Sequence, residues 1–246
     1  MRALTGNEFL RIWETGAHQH EIDRALTMLA VVLPEHTREE LSLLPIGQRD
    51  AGLLAIWEAT FGQDLNGFAV CPYCREALQL TVEVDDLRVT STARGDDLFG
   101  CSCAGIDLQL RSLNSRDMAA VAHSTDLDKA RQALLKRCVI QASRNGERLE
   151  LMSISPEMER AIEESLEDYD PQSDVQLKLT CTSCTHQWSV VFDIASLLWQ
   201  EVVIHAKRLL QEVHVLAKGY GWSEAEILSL SPGRRRLYLT MVAGDG

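Results

Sequence analysis

Two cysteine pairs are the residues of this chain whose types and spacing point most directly to chemistry. Cys71 and Cys74 enclose two residues, and so do Cys181 and Cys184. A tight turn with this CxxC spacing directs both thiolates towards one tetrahedral ion. Two such turns supply four sulfur ligands. The sequence therefore predicts one structural Zn²⁺ bound by Cys71, Cys74, Cys181 and Cys184.

The alternatives are a thioredoxin-like redox pair or unrelated buried thiols. A redox CxxC opens a helix that follows a strand, and neither pair here precedes a helical pattern. A catalytic zinc is disfavoured as well, because four sulfurs leave no open position for water. Cys101 and Cys103 form a weaker CxC motif that remains an alternative source of ligands. Cys138 lies on the apolar side of a predicted helix and is assigned to the core.

Strand patterns are expected to position the pairs. Apolar and polar residues alternate at 77–84, just after Cys74, and again at 175–179 and 188–192, on both sides of the second pair. The 106 residues between the pairs exceed the spacing of a compact zinc ribbon. We therefore expect a zinc-ribbon-like antiparallel sheet that carries a helical insertion at about 112–172, after a Gly- and Asp-rich loop at 91–100.

The rest of the chain carries helix signals. Capping boxes of the Thr-x-x-Glu type begin at Thr5 and Thr37, and an apolar stripe predicts a long helix over 193–219. A third box at Ser223 begins the first of two short C-terminal helices. The predicted fold class is α+β and mainly helical. Its regions are a helical region at 1–65, the zinc-ribbon-like sheet with its insertion at 66–192, and the long helix plus a C-terminal helical hairpin at 193–246.

Composition narrows the function classes. The 246 residues are 46% hydrophobic and 24% charged, which is typical of a globular protein. The formal charge of −12 repels phosphate backbones and disfavours nucleic acid. No apolar run approaches the about 20 residues of a membrane span, and residues 1–8 lack a signal-peptide core. We expect no membrane partner and a cytoplasmic location, where seven cysteines would not form a disulfide framework.

Motifs of catalysis are missing from the sequence. It contains no Walker loop, GxGxxG, HExxH or GxSxG. His205 and His214 are nine residues apart on the predicted long helix, which places them on opposite faces. The acidic residues at 157–170 form a run along a helix rather than a converging pair. The chain is therefore not expected to be an enzyme.

The C-terminal end carries a basic cluster, Arg234, Arg235 and Arg236, at a helix start where the helix dipole disfavours cations. Trp222 and Tyr238 lie on the same two short helices, which need tertiary or partner contacts to persist. We expect these five residues to dock an acidic protein face. Packing against the long helix, simple surface charge and a DNA-reading helix-turn-helix are the alternatives, and the net charge disfavours the last.

Several segments carry a family resemblance: CTSCTHQW at 181–188, FDI at 192–194, LWQE at 198–201, EVH at 212–214, YGWSEAEIL at 220–228 and RRRLYL at 234–239, with LLPIGQRD at 43–50 and CPYC at 71–74 upstream. Together they resemble the T4-like phage baseplate (hub assembly) proteins, in the zinc-containing version found with contractile tails and extracellular contractile injection systems. The resemblance is most specific over 175–242.

The resemblance implies a non-enzymatic baseplate or assembly protein. Its partners would be baseplate, hub or spike proteins, and it would reside in the cytoplasm or within an assembled tail-like particle. Short hub-assembly members lack the paired CxxC, so a permanent component and a transient assembly factor both remain open. The alternative functions are a zinc-ribbon adaptor or regulator that binds nucleic acid, and a CxxC oxidoreductase with a reactive thiol of low pKa.

Overall fold

A computed structural model describes residues 1–89, 97–150 and 153–244. The predicted α+β class is confirmed: the structure is 56% helical, with small antiparallel sheets and a long helix near the C-terminus. Part of the loop predicted at 91–100 lies outside the described residues, and its last two residues already belong to a strand.

The N-terminal helices are α1 (Gly6–Gly16), α2 (Glu21–Val32), α3 (Arg38–Leu43) and α4 (Ile46–Phe61).

The predicted capping boxes form where the sequence places them. The Thr5 hydroxyl and the Glu8 carboxylate cap the start of α1, and Thr37 with Glu40 does the same for α3. In each box the glutamate accepts a hydrogen bond from the backbone N–H of the threonine, at 2.9 and 2.8 Å. These reciprocal bonds satisfy N–H groups that a helix start leaves unpaired.

Two antiparallel hairpins hold the cysteine pairs at their turns. Strands β1 (Asp64–Val70) and β2 (Ala77–Glu83) form the first hairpin, and a short helix α5 (Val84–Leu87) follows it. Strand β1 was not predicted, because the residues on its inner face include Gly67 and Ala69, whose small side chains give no apolar alternation.

In its described residues, the segment between the hairpins builds a four-stranded antiparallel sheet, three α-helices and a short 3₁₀ helix (Pro171–Asp174). Its strands are β3 (Phe99–Cys103), β4 (Ile106–Leu110), β5 (Val139–Arg144) and β6 (Glu147–Leu149), in that spatial order. Its helices are α6 (Ser115–Val121), α7 (Leu127–Cys138) and α8 (Pro156–Tyr169). Leu110 and Ile162 lie in a second hydrophobic core between the sheet and α8.

The second hairpin and the C-terminal helices complete the chain. Strands β7 (Gln176–Thr180) and β8 (Gln187–Val191) lead into α9 (Ile194–Tyr220), α10 (Glu224–Ser229) and α11 (Pro232–Gly244). The prediction of the long helix is confirmed: Asp193 caps its start, and Gly221 ends it in the left-handed conformation. None of the helices in the described ranges has both the length and the apolar character that crossing a membrane requires.

The main hydrophobic core joins the two ends of the chain. Helix α9 buries Leu198, Val202 and Ala206 completely against α1, α2 and α4.

The ends of the segment between the hairpins, called the intervening segment below, are also joined, through the buried side chain of Gln172. Its amide donates to the Leu87 carbonyl at 3.1 Å and accepts from the Val89 amide at 2.7 Å.

Candidate metal centre

The two hairpin turns bring four thiols together, although 106 residues separate the pairs in sequence. The Sγ atoms of Cys71 and Cys184 are 3.7 Å apart, and those of Cys74 and Cys181 are 3.5 Å apart. All four sulfurs lie within 4.8 Å of one another. These separations exceed a disulfide bond of about 2.05 Å, so the four thiols are free.

The two turns have the same hydrogen-bond pattern. The Cys71 amide donates to the Glu76 carbonyl at 2.9 Å, and the Arg75 amide donates back to the Cys71 carbonyl at 3.0 Å. In the second turn the Cys181 amide donates to the His186 carbonyl and the Thr185 amide to the Cys181 carbonyl, at the same two distances. One turn geometry therefore presents both cysteine pairs.

Each turn also contains one non-glycine residue in the left-handed region, immediately after its second cysteine. Arg75 has φ of 65° and Thr185 has φ of 60°. This conformation costs about 1–2 kcal/mol for a side chain with a Cβ, and a β-branched threonine is unusual there. Strain at the same position of both turns is the kind of feature that accompanies a binding site.

Backbone amides around the sulfurs favour thiolates. Burial acts to raise the pKa of the Cys71 thiol, but the N–H groups of Cys74 and Tyr73 outweigh it and lower the pKa to about 7. For Cys74, the Glu76 N–H favours the thiolate, yet the neighbouring thiol of Cys184 and burial raise its pKa to about 12. Four thiols this close cannot all ionise unaided, and a cation bound between them would supply the positive charge that four thiolates need.

Aromatic rings connect the two turns on their outer side. The ring of Tyr73 in the first turn stacks on His186 of the second at 5.7 Å, and His186 stacks on Trp188 at 6.1 Å. Tyr73 is 77% exposed. This contact crosses from one hairpin to the other beside the sulfurs, and it was not predicted, because the CxxC spacing brings the two turns together without indicating which rings stack.

The sulfur geometry suits one tetrahedral metal ion. Metal–sulfur bonds of about 2.3 Å in a tetrahedron place the sulfurs about 3.8 Å apart, close to the separations observed. In the described parts of the chain, no other group of His, Cys, Asp and Glu is close enough to hold a metal. The backbone N–H groups that face the sulfurs are the donors that metal-bound thiolates accept from. The four cysteines can therefore bind one ion.

The other cysteines lie elsewhere. Cys101 and Cys103 are on β3 and pack against the second core. Cys138 is fully buried at the end of α7, and this burial raises the pKa of its thiol to about 12. Within the described residues, none of the three belongs to the four-sulfur group.

The C-terminal residues predicted to dock a partner divide into two sets. Arg234 and Arg236 are exposed, whereas the Arg235 side chain is only 7% exposed and its Nε donates to the Glu212 carboxylate at 2.9 Å. Trp222 and Tyr238 pack edge to face at 4.9 Å. Part of this set is therefore held by internal contacts, and docking by these residues stays a prediction.

Glu212 is a residue that sequence reasoning missed. It lies on α9 with 9% exposure and also accepts from Arg208 Nε at 3.2 Å. The spacing of four residues between Arg208 and Glu212 is a signal visible in the sequence. The pairing with Arg235, 23 residues later, depends on how α11 folds back on α9.

Comparison with protein families gives a match to the family described as T4 bacteriophage base plate protein, over residues 2–199. The matched span contains all four clustered cysteines and the start of α9. The match ends before α10 and α11, the helices that contain part of the segments 220–228 and 234–239 on which the resemblance also depends. Comparisons with curated proteins and with solved structures give no match. Since the family match covers most of the chain, the protein belongs to the T4 bacteriophage base plate protein family.

Proposed function

We propose that this chain is a non-enzymatic structural or assembly protein of the baseplate of a contractile phage tail or contractile injection system, and that a structural zinc stabilises it. Membership of the base plate family supports the structural role. The four-sulfur group supports the zinc, because four sulfur ligands at tetrahedral spacing are typical of closed structural zinc sites.

The proposed role of the metal is to fasten the two hairpins to each other. Within the described residues, β1 pairs only with β2 and β8 only with β7, so each hairpin is an isolated two-stranded sheet. Such hairpins are marginal in water without further support. A zinc bound by Cys71, Cys74, Cys181 and Cys184 would form two bonds to each hairpin and so cross-link them.

We further propose that the partners are baseplate, hub or spike proteins, and that the C-terminal helices provide the docking surface. The exposed Arg234 and Arg236 and the aromatic pair of Trp222 and Tyr238 are the residues proposed for this contact. The protein would then reside in the cytoplasm during assembly or within the assembled particle.

Elemental analysis of purified protein tests the zinc. We expect about one zinc per chain, and a Cys181→Ser plus Cys184→Ser double variant should lose it. The matched control is a Cys101→Ser plus Cys103→Ser variant, which should keep the full zinc content. Less than about half an equivalent in the wild-type chain, or full retention in the first variant, would contradict the assignment.

Copurification tests the baseplate role. The tagged chain is expressed together with the genes that surround it, and the captured proteins are identified by mass spectrometry. The proposal expects tail, hub or spike proteins in the captured material. Salt-sensitive capture of DNA or RNA without such proteins would instead favour a nucleic-acid adaptor.

A further inference from the structure

A pocket of about 340 Å³ lies where the two ends of the chain meet, between the start of α1, the end of α4, the middle of α9 and the start of α11. Its lining combines charged groups with apolar rings. The charged side chains are Arg208, Arg235, Arg236 and Glu212. This volume is at the lower end of the about 300–1,000 Å³ of ligand sites, so it suits one or two side chains.

The charges of the pocket do not balance. The Glu212 carboxylate already accepts from Arg208 at 3.2 Å and from Arg235 at 2.9 Å. Arg235 is fixed further by a 2.7 Å bond from its guanidinium to the Leu230 carbonyl. In the described part of the chain, Arg236 forms no ion pair. Three guanidinium groups against one carboxylate leave an excess of positive charge in a chain whose total is −12.

An apolar wall adjoins these cations. Phe9 stacks on the His205 ring at 5.0 Å, and Phe61 lies 5.1 Å from the same ring. All three side chains line the pocket. An occupant that matches this lining carries a carboxylate next to an apolar group, since each part then meets a complementary surface.

We propose that this pocket binds an acidic segment of a partner protein, through a carboxylate side chain that contacts Arg236 and Arg208. Arg235 is a positioning residue, because its bond to Glu212 holds α11 against α9 and sets the place of Arg236. Arginine suits the contact with the partner's carboxylate, since its planar guanidinium group can form two parallel hydrogen bonds to a carboxylate. The proposal rests on the baseplate function only for the identity of the partner.

Charge reversal with matched controls tests the surface. Arg236→Glu and Arg208→Glu alter the pocket, whereas Arg11→Glu and Lys207→Glu place the same change on exposed residues of α1 and α9 that do not line it. We expect the first two to reduce the amount of copurified partner about tenfold, and the controls less than about twofold. Thermal melts of all four chains check folding. Equal copurification by the Arg236→Glu and Lys207→Glu chains would overturn the proposal.

A zero-length cross-link tests the chemistry of the occupant. Arg236→Lys keeps the charge and supplies an amine that a water-soluble carbodiimide joins to a carboxylate in direct contact. We expect the amine at position 236 to link to an Asp or Glu of another tail protein, and an Arg11→Lys control to give little product. Links only within the chain itself would overturn the proposal.

These results separate the pocket from the proposed function. If the wild-type chain captures no tail protein, the baseplate role fails. If the wild-type chain captures tail proteins and the reversals at positions 236 and 208 change nothing, the role stands and the pocket is not the docking site.

Discussion

The backbone amide of Gly47 donates a hydrogen bond of 3.0 Å to the carboxylate of Asp170, which is 123 residues later in the chain. Gly47 is the second residue of α4, and Asp170 follows the last residue of α8. The adjacent Ile46 amide donates to the Leu113 carbonyl at 3.0 Å. The start of α4 is therefore the place where the N-terminal helices attach to the intervening segment.

A methyl group at position 47 should weaken this attachment. A Cβ there would lie 2.0 Å from an Asp170 carboxylate oxygen and 2.8 Å from its carbon. We expect Gly47→Ala to lower the free energy of unfolding by about 1–3 kcal/mol, although alanine favours a helix by about 1 kcal/mol. Urea denaturation measures the change. Gly233, also the second residue of its helix, has no atom within 4 Å of the point that a Cβ would occupy, and Gly233→Ala should be neutral or slightly stabilising.

Removal of the metal should loosen the hairpins and leave the helical core folded. We expect a chelator to lower the melting temperature by about 4–8 °C, which corresponds to about 2 kcal/mol for a chain of this size. Proteolysis should then cut first near the exposed turn that contains Tyr73. The Cys101→Ser plus Cys103→Ser chain should respond to the chelator like wild type. An unchanged melting temperature after verified metal loss would contradict an architectural role.

The buried carboxylate of Asp117 should give the stability a pH dependence. Burial acts to raise its pKa, but hydrogen bonds from Arg111 and Arg137, at 2.6 Å each, outweigh burial and hold the pKa below its usual value of 3.8. Because the folded-state pKa is the lower one, this contribution is complete at neutral pH. It is lost as the pH falls through the folded-state pKa.

Asp117→Asn measures that contribution. We expect it to cost about 3 kcal/mol at pH 7, because two arginines lose their partner, and the difference from wild type should shrink as the pH falls from about 5 towards 3. Urea denaturation across this pH range gives the comparison. Asp128→Asn, at an exposed position on α7, should change the stability by less than about 0.5 kcal/mol at every pH. A difference independent of pH would contradict the ion-pair explanation.

The buried face of α9 should contribute far more to the stability of the protein than its exposed face. Leu198 is fully buried against the N-terminal helices, whereas Ile204 on the same helix is 57% exposed. We expect Leu198→Ala to destabilise the protein by about 2–5 kcal/mol, and Ile204→Ala to have a much smaller effect. Thermal and urea denaturation both measure this contrast. Similar losses in the two variants would mean that α9 packs by a different face.

Local sequence signals predicted the helix boundaries well, because a capping box acts within four residues. Those at Thr5, Thr37 and Ser223 all form, and so does the Asp193 cap of α9. The CxxC spacing likewise predicted which four cysteines meet. These signals need no knowledge of distant contacts.

Other features were missed for identifiable reasons. The hairpin of β5 and β6 turns at Asn145 and Gly146, both at positive φ, and Asn-Gly is a strong hairpin signal that the sparse apolar residues of these strands obscured. The burial of Arg235 could not be read from sequence, because three adjacent arginines look alike until α11 is packed on α9. The same limit applies to Gly47 and Asp170, whose contact depends on the fold of everything between them.

The Gln172 side chain bridges the two places where the chain leaves and re-enters the main core, next to Leu87 and Val89. A segment whose ends are tied side by side can change length, or be exchanged for another, without moving the strands and helices on either side. We therefore expect relatives to vary most in chain length between these two points, with the two cysteine turns as fixed landmarks. The bridge therefore lets this stretch change length between its contacts with the start of α4, at Leu113 and Asp170, without displacing the rest of the frame.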